Sequence, residues 1–484
     1  MTKNMHHLVK INLPGGIISS GNLLQVLKLA HTLGITELSF GHRQHLLLEA
    51  SDAQIRELQL HLGNNTIEVN ADDYPNIMSS YVTDEVFAPY SWLSEGVYKD
   101  ILYSFNYAPR LKINIVDRQQ NLIPFFTGNL NFISSDINNH WYLYIRFPKT
   151  NQMFHWPSLI YSGDIAEFSR LIEFIILSEH HLFYNKLDAD GHLLVEKLIH
   201  KASFNTQPFL QPLIHTDFQL PFYEGINTYS EQKLWLGIYR RKESFPIEFL
   251  MALCSLCIDS RIGQLYTTPW KSLLIKNILP IDRIHWTTLL NKYRMNVRHA
   301  SNELNWQLED RCQEALDLKW KLVKAFEEAD LRTSRLCFAI KTTKQTGLFG
   351  SIVIQKEKTE SGDTLYQVMH THNFNPNSKQ FVHYGSARST QDLSRLLIDL
   401  CHFYYDMHSD LPQKEEENEK DVTLSENNLV MIYECSHCLT QYDPSYGDPQ
   451  QEIPKGTSFH LLNAYNCPTC DATLSDFRPV HAGH

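Results

Sequence analysis

The chain has 484 residues, of which 43% are hydrophobic and 12% are aromatic, and its formal net charge is −11. This size and composition favour several folded domains and exclude a mainly disordered protein. The acidic balance argues against nucleic-acid binding, and the sequence lacks an apolar run of about 20 residues that would cross a membrane. The N-terminal residues also lack the apolar core of a signal peptide, so we expect a cytoplasmic protein with no membrane partner.

The first 70 residues predict two helices among four strands. A strand at residues 8–12 precedes a helix that Ser19 or Ser20 caps and Gly34 ends, with apolar positions three to four residues apart. A second helix follows a predicted strand pair, and a last strand closes the unit. This βαββαβ order is typical of a ferredoxin-like fold. The remaining strands are predicted at residues 36–40, 45–50 and 66–70.

A similar pattern returns 227 residues later. Residues 234–241 predict a strand, and residues 245–257 predict an apolar helix. On this offset residues 46–48 align with residues 273–275, so the chain contains an internal repeat. Cys254 and Cys257 fall in the apolar helix, where we expect them to be buried as small hydrophobic side chains.

Three short motifs resemble the sirohaem-dependent nitrite and sulfite reductases. They are FGHRQ at residues 40–44, NIMSS at residues 76–80 and RLKI at residues 110–113. The resemblance extends over about residues 8–405 and implies two ferredoxin-like half-domains, each followed by a larger α/β domain. We refer to residues 1–411 as the body.

The same resemblance implies a cofactor pocket. Members of the family surround the carboxylates of sirohaem with basic side chains, which implies Arg43, Arg110 and Lys112 as cofactor-binding residues. Pro75 stands where an arginine is usual. The family also binds a four-iron cluster through two close cysteine pairs, which the body cysteines do not supply, so we expect no such cluster. We interpret the basic residues as remnants of the pocket; the alternative is a sirohaem-binding nitrite or sulfite reductase without the cluster.

The region after residue 411 has a different character. Residues 412–428 are charged and nearly free of apolar side chains, which predicts an extended linker. The C-terminal domain, residues 429–484, contains two C-x-x-C pairs. Each pair can bind one side of a metal ion, so together they predict a tetrahedral site for iron or zinc. The predicted metal ligands are Cys435, Cys438, Cys467 and Cys470.

The residues between the two pairs resemble rubredoxin closely. The resemblance rests on YDP at residues 442–444, GDP at residues 447–449 and CPTC at residues 467–470, and it implies one iron that carries single electrons. Leu439 and Asp471 replace glycines that are usual in the family, and Tyr465 replaces a tryptophan. Since contacts around the ligands tune a metal site, we expect a changed potential or a greater tolerance for zinc.

We therefore predict an α+β chain in which an iron-binding electron carrier is tethered to a reductase-like docking body. It would serve nitrite or sulfite assimilation by exchanging electrons with a redox partner protein, rather than act as a complete reductase. A zinc-loaded structural or recruiting module is a further alternative. The predicted domains are residues 1–70 and 216–300 for the ferredoxin-like half-domains, 71–215 and 301–411 for the α/β domains, 412–428 for the acidic linker and 429–484 for the rubredoxin domain.

Overall fold

The computed structural model divides the chain into two compact units, Met1–Met407 and His408–His484. The predicted linker at residues 412–428 lies outside the described residues, and the domain boundaries stay predictions. The structure describes residues 6–409 and 431–481, apart from 64–65, 89–90, 210, 214–217, 231, 344–346, 360–361, 379, 439, 445–446, 449–450, 452, 456 and 463–464.

The first 70 residues follow the predicted pattern. Their elements are β1 (His6–Ile11), β2 (Ile17–Ser19), α1 (Ser20–Thr32), β3 (Glu37–Phe40), β4 (Leu46–Ser51), α2 (Asp52–Leu62) and β5 (Ile67–Val69). Strands β3, β4, β1 and β5 pair antiparallel in that order, which is the ferredoxin-like arrangement. The Ser19 hydroxyl accepts a hydrogen bond from the Asn22 N–H and caps α1 as predicted.

A mixed sheet with helices follows. Its elements are β6 (Met78–Ser79), α3 (Glu95–Ser104), β7 (Ile113–Val116), β8 (Leu130–Ser134), β9 (His140–Arg146), β10 (Met153–His155), β11 (Leu159–Tyr161), α4 (Ile165–Ser178), α5 (His180–Phe183), α6 (Gly191–Ile199) and β12 (Thr206–Gln207). Strands β6, β7 and β8 are parallel, and the sheet continues antiparallel through β9, β11 and β12. All residues of β7 and β8 are buried, which is typical of strands covered on both faces.

The second half-domain repeats the first. Its elements are β13 (Gly225–Ser230), β14 (Lys233–Ile238), β15 (Ser244–Pro246), α7 (Ile247–Asp259), β16 (Gln264–Thr267), β17 (Leu273–Ile278) and α8 (Arg283–Lys292). Adding 227 to the bounds of β1, β2, α1, β3 and β4 gives the bounds of β14, β15, α7, β16 and β17, which confirms the repeat. The predicted helix begins two residues later than expected, because residues 245–246 are extended and pair within β15.

Two short strands are exchanged between the halves. Strand β2 pairs with β16 of the second half, and β15 pairs with β3 of the first half. Each exchanged strand leads into the helix of its own half, and these two helices, α1 and α7, pack against each other. The buried side chains of both halves consequently form one hydrophobic core.

A second α/β region completes the body. Its elements are α9 (Ser301–Leu304), β18 (Trp306–Leu308), α10 (Gln313–Glu328), β19 (Phe338–Lys341), β20 (Ile352–Lys358), β21 (Thr364–Thr371), β22 (Phe381–Ala387) and α11 (Thr390–Ser409). The strands pair in sequence order, parallel from β18 to β20 and antiparallel from there to β22. Within the described residues, no helix is both long and apolar enough to span a bilayer.

The C-terminal domain is small and has a core of its own. Its strands are β23 (Met431–Cys435), β24 (Gln441–Tyr442) and β25 (Phe477–His481), with β23 in the centre of an antiparallel sheet. Tyr433, Tyr442, Phe459 and Tyr465 form the buried centre of the domain. The chain as a whole is α+β, as predicted.

Candidate metal centre and basic cavity

Two turns of similar construction carry the four predicted cysteines. Cys435 ends β23, and its N–H donates to the Thr440 carbonyl at 2.9 Å. The Cys467 N–H donates in the same way to the Ala472 carbonyl at 2.8 Å. Each bond closes a turn of six residues that contains both cysteines of one pair, so each turn holds the two sulfurs of its own pair together.

The four sulfur atoms lie within 4.8 Å of one another. Cys435 Sγ is 3.6 Å from Cys470 Sγ, and Cys438 Sγ is 3.4 Å from Cys467 Sγ. A disulfide would bring two sulfurs to about 2.05 Å, so these contacts are not disulfide bonds. They are close to the spacing of thiolates around a metal with bonds of about 2.3 Å. This soft donor set fits iron or zinc.

The site has a buried side and a solvent side. Cys435 and Cys467 are fully buried, Cys438 is partly exposed and Cys470 is exposed. Hydrogen bonds from the Thr440 hydroxyl and the Thr440 N–H lower the pKa of the Cys438 thiol to about 6. This shift favours the thiolate of Cys438, which is the form that binds metal.

The structure shows how two residues that differ from the usual rubredoxin pattern, Tyr465 and Asp471, are accommodated. The Tyr465 hydroxyl donates to Asp448 Oδ2 at 3.1 Å, so the ring fills the core while its polar end is satisfied. Asp471 has a φ of +56°, the left-handed conformation that a glycine adopts without strain. Leu439 lies outside the described residues.

In the body, Arg43 is bound by the fold itself. Its side chain is buried, and its guanidinium donates to the Asn76 carbonyl at 2.9 Å, the Ile113 carbonyl at 3.0 Å and Asn114 Oδ1 at 3.2 Å. Burial lowers the pKa of Arg43 to about 10. With these acceptors already engaged, Arg43 braces the strands behind the predicted pocket and is not among its lining residues.

Arg110 and Lys112 do line a cavity, whose volume is about 750 Å³. Further basic side chains that sequence reasoning missed share its wall, and two acidic ones accompany them. They come from separate strands and loops, so spacing along the chain gave no signal for them. The acidic, basic and histidine residues of the lining are Asp72, Asp73, Arg110, Lys112, Arg146, Lys149, His180 and Lys341.

The cavity wall carries partly buried positive charge. Lys112 Nζ lies 3.6 Å from Asp72 Oδ2, and burial lowers the pKa of Lys112 to about 8. The Arg146 guanidinium donates to the Thr127 carbonyl at 2.9 Å, and no described carboxylate forms an ion pair with it. Burial lowers the pKa of Arg146 to about 10. A partly buried cation without a counter-ion favours an anionic ligand.

The body cysteines do not fit a four-iron cluster. Cys254 and Cys257 are buried on α7, as the sequence predicted, and burial raises the pKa of Cys254 to about 12. Cys312, Cys337 and Cys401 lie elsewhere in the body. In the part of the chain that the structure describes, the four C-terminal cysteines form the one group of three or more metal-binding side chains. The absence of a cluster stays a prediction.

Comparison with known proteins agrees with both parts of this description. Residues 432–477 match the Rubredoxin family. The chain is 42% identical over 65 residues to the probable rubredoxin HupI of Rhizobium leguminosarum bv. viciae, an alignment that covers 13% of this chain and 87% of that protein. It is 44% identical over 50 residues to a rubredoxin of Azotobacter vinelandii, covering 10% of this chain and 69% of that protein.

The comparison of structures concerns the body. The chain superimposes on the NirA protein of Mycobacterium tuberculosis with a TM-score of 0.60 and 13% identity, covering 81% of this chain and 80% of that one. At this identity the likeness shows the fold. The body therefore has a NirA-like fold, in agreement with the fold implied by the reductase resemblance.

Proposed function

Because the chain belongs to the rubredoxin family through its C-terminal domain, we propose that this domain binds one iron and transfers one electron at a time. The observation that carries the proposal is the group of four sulfurs within 4.8 Å, held on two similar turns. Iron bound there supplies a one-electron couple. The proposed ligands are Cys435, Cys438, Cys467 and Cys470.

The cysteines have unequal roles in this proposal. Cys435 and Cys467 anchor the site in the core, which limits the rearrangement that accompanies a change of charge. Cys438 and Cys470 lie toward solvent, where a partner protein can approach the site closely. The C-terminal domain has six acidic and two basic residues, so a partner with a basic face fits it best.

We assign the body the role of a docking platform. The NirA-like fold supports a relation to reductases, and the resemblance to nitrite and sulfite reductases suggests a partner in nitrite or sulfite assimilation. Residues 412–428 carry six acids and two bases, and a charged tether of this composition would keep the carrier near such a partner. A fold alone does not establish a reaction, so this part depends on the identification of the partner.

The test is the visible absorption spectrum of the purified full-length protein together with metal analysis and a redox titration. We expect ferric-thiolate charge-transfer bands, one iron per chain and reversible bleaching by one electron. A colourless protein that retains zinc after growth with ample iron would contradict electron transfer and support a structural module.

A second candidate function is favoured by the basic cavity. Arg110, Lys112 and Arg146 form a cationic donor set that fits the carboxylates of sirohaem, and the cavity volume is within the range of cofactor sites. Sirohaem held there would supply the metal centre of a reductase, and these residues would bind and orient its carboxylates. Arg43 takes no part in this, since the fold already engages it.

Expression in a host that makes sirohaem tests this candidate. Porphyrin bands in the purified protein, lost in Arg146→Gln but kept in Arg118→Gln, would support it. Arg118 is a suitable control because it pairs with Asp136 at the surface. A protein without porphyrin bands would exclude sirohaem binding under these conditions and leave the carrier function intact.

A further inference from the structure

Two threonine hydroxyls connect the turns of the metal centre. Thr440 Oγ1 lies 3.1 Å from Cys438 Sγ. The same oxygen lies 2.8 Å from Thr469 Oγ1, in the second C-x-x-C turn. The first contact reaches the partly exposed sulfur of the first pair, so the hydroxyls link that sulfur to the opposite turn.

The direction of these hydrogen bonds follows from the protons available. With a thiol at Cys438, the S–H can donate to the Thr440 oxygen, and the Thr440 hydroxyl donates to Thr469 at 2.8 Å. A metal-bound thiolate has no proton and only accepts, whereas each hydroxyl has one proton to give. When the sulfur binds a metal, the hydrogen bond between the threonines reverses: Thr469 donates to Thr440, and Thr440 donates to the Cys438 sulfur. Both contacts are then kept.

We propose that Thr440 and Thr469 form a hydroxyl relay that raises the reduction potential of the metal centre. The relay rests on the proposed iron site and goes beyond it by assigning two tuning residues. Reduction adds one electron, and no bond forms or breaks. The added negative charge is shared by the sulfurs, and a hydrogen bond to a more negative acceptor is stronger, so the relay stabilises the reduced state.

The two threonines act unequally. Thr440 contacts the sulfur directly, whereas Thr469 polarises the Thr440 hydroxyl and fixes the direction of its proton. Loss of the Thr440 hydroxyl therefore removes the hydrogen bond, and loss of the Thr469 hydroxyl weakens it. Both are positioning residues, because neither binds the metal.

The experiment compares midpoint potentials of the iron-loaded full-length variants. Thr440→Val should lower the potential enough to raise the ratio of oxidised to reduced protein several-fold at a fixed potential, where tenfold corresponds to about 59 mV for one electron. Its charge-transfer bands should move to longer wavelength, since the sulfur electrons are less stabilised. Thr469→Val should shift both readouts less in the same direction, and Thr440→Ser should restore them.

Thr457→Val is the matched control. The Thr457 hydroxyl donates to the Pro454 carbonyl within the same domain, and its loss should leave the potential unchanged. Thr440→Val with full iron content and the wild-type potential would overturn the relay and leave the proposed function standing. If Thr440→Val loses iron, an unchanged potential in Thr469→Val overturns the relay instead. Wild-type protein without iron-thiolate bands would overturn both proposals.

Discussion

The cysteine site and the basic cavity are built on opposite principles. The cysteine site is local, because each turn fixes its own pair of ligands within a few residues. The cavity is assembled from distant parts of the body, with lining residues from Asp72 to Gly347. A site of the first kind is visible as a motif, whereas a site of the second kind exists only after the chain has folded.

The two regions should also differ in what stabilises them. Among the described residues of the C-terminal domain, the hydrophobic core has four buried aromatic side chains, so we expect the metal to supply much of the domain's folding energy. The body has extensive cores, so we expect its folding not to depend on the metal. Four changes test this difference, beginning with the largest expected effect.

Cys467→Ser should abolish iron binding and unfold the C-terminal domain, because three thiolates no longer close the tetrahedron. Iron content and the loss of charge-transfer absorption measure the first effect, and proteolysis of the domain measures the second. Cys312→Ser, in the body, should keep both metal and colour. Retention of one iron per chain by Cys467→Ser would contradict the ligand assignment.

Lys271→Met should destabilise the body by about 3–5 kcal/mol, because it leaves the buried carboxylate of Glu243 without its cation. Lys271 Nζ lies 2.5 Å from Glu243 Oε2 and 3.6 Å from Asp310 Oδ1. Urea unfolding followed by tryptophan fluorescence measures the loss, while the visible bands should persist to the same urea concentration as in wild type.

Lys324→Met is the control for this change. Lys324 is exposed and pairs with Glu328 across one helical turn, so its loss should cost less than about 1 kcal/mol. If Lys271→Met weakened the metal site as much as the body, the proposed independence of the two regions would be wrong.

Acid should destabilise the body through Asp310. Burial alone would raise the pKa of Asp310, but the charge and hydrogen bond of His42, the hydrogen bond of His45 and the charge of Lys271 hold it well below its usual value of 3.8. The stabilisation is therefore fully present above about pH 4. It is lost as the pH falls further, by up to about 1.4 kcal/mol per pH unit.

Unfolding of wild type and Asp310→Asn at several pH values measures this contribution. The variant is less stable at neutral pH, and the difference between the two proteins should shrink below pH 4. A difference that stayed constant down to pH 2 would show that Asp310 has an ordinary pKa.

Asp471→Gly should stabilise the C-terminal domain by about 1 kcal/mol, because glycine adopts the observed φ of +56° without strain. Gly447→Ala should do the reverse. Gly447 has a φ of +68°, and a Cβ there would lie 2.5 Å from the Ile453 carbonyl oxygen. The temperature at which the visible bands disappear measures both, and a lower value for Asp471→Gly would contradict the strain argument.

The sequence was informative where the signal is periodic or closely spaced. Apolar spacing located α1 and α7 and revealed the 227-residue repeat, and the C-x-x-C pairs located the cysteine site. It did not reveal the exchange of β2 and β15, because a three-residue strand has no measurable period and its partner is distant in sequence.

Arg43 shows a different limit. Its motif identified a residue near the pocket, but a motif does not show whether the side chain faces the pocket or binds backbone groups behind it. In the structure its guanidinium donates to the Asn76 and Ile113 carbonyls. Arg146, at the end of β9, supplies a partly buried positive charge to the cavity instead.

The exchanged strands give the repeat the architecture of a domain-swapped dimer within a single polypeptide. Each half completes the other's sheet at an edge, and an open edge pairs readily with a missing strand. Severing the chain between β5 and β13 would thus produce two fragments, each with a sheet that lacks the edge strand carried by the other. Such fragments should reassociate on mixing, because each carries the edge strand that the other's sheet lacks and the two share one hydrophobic core.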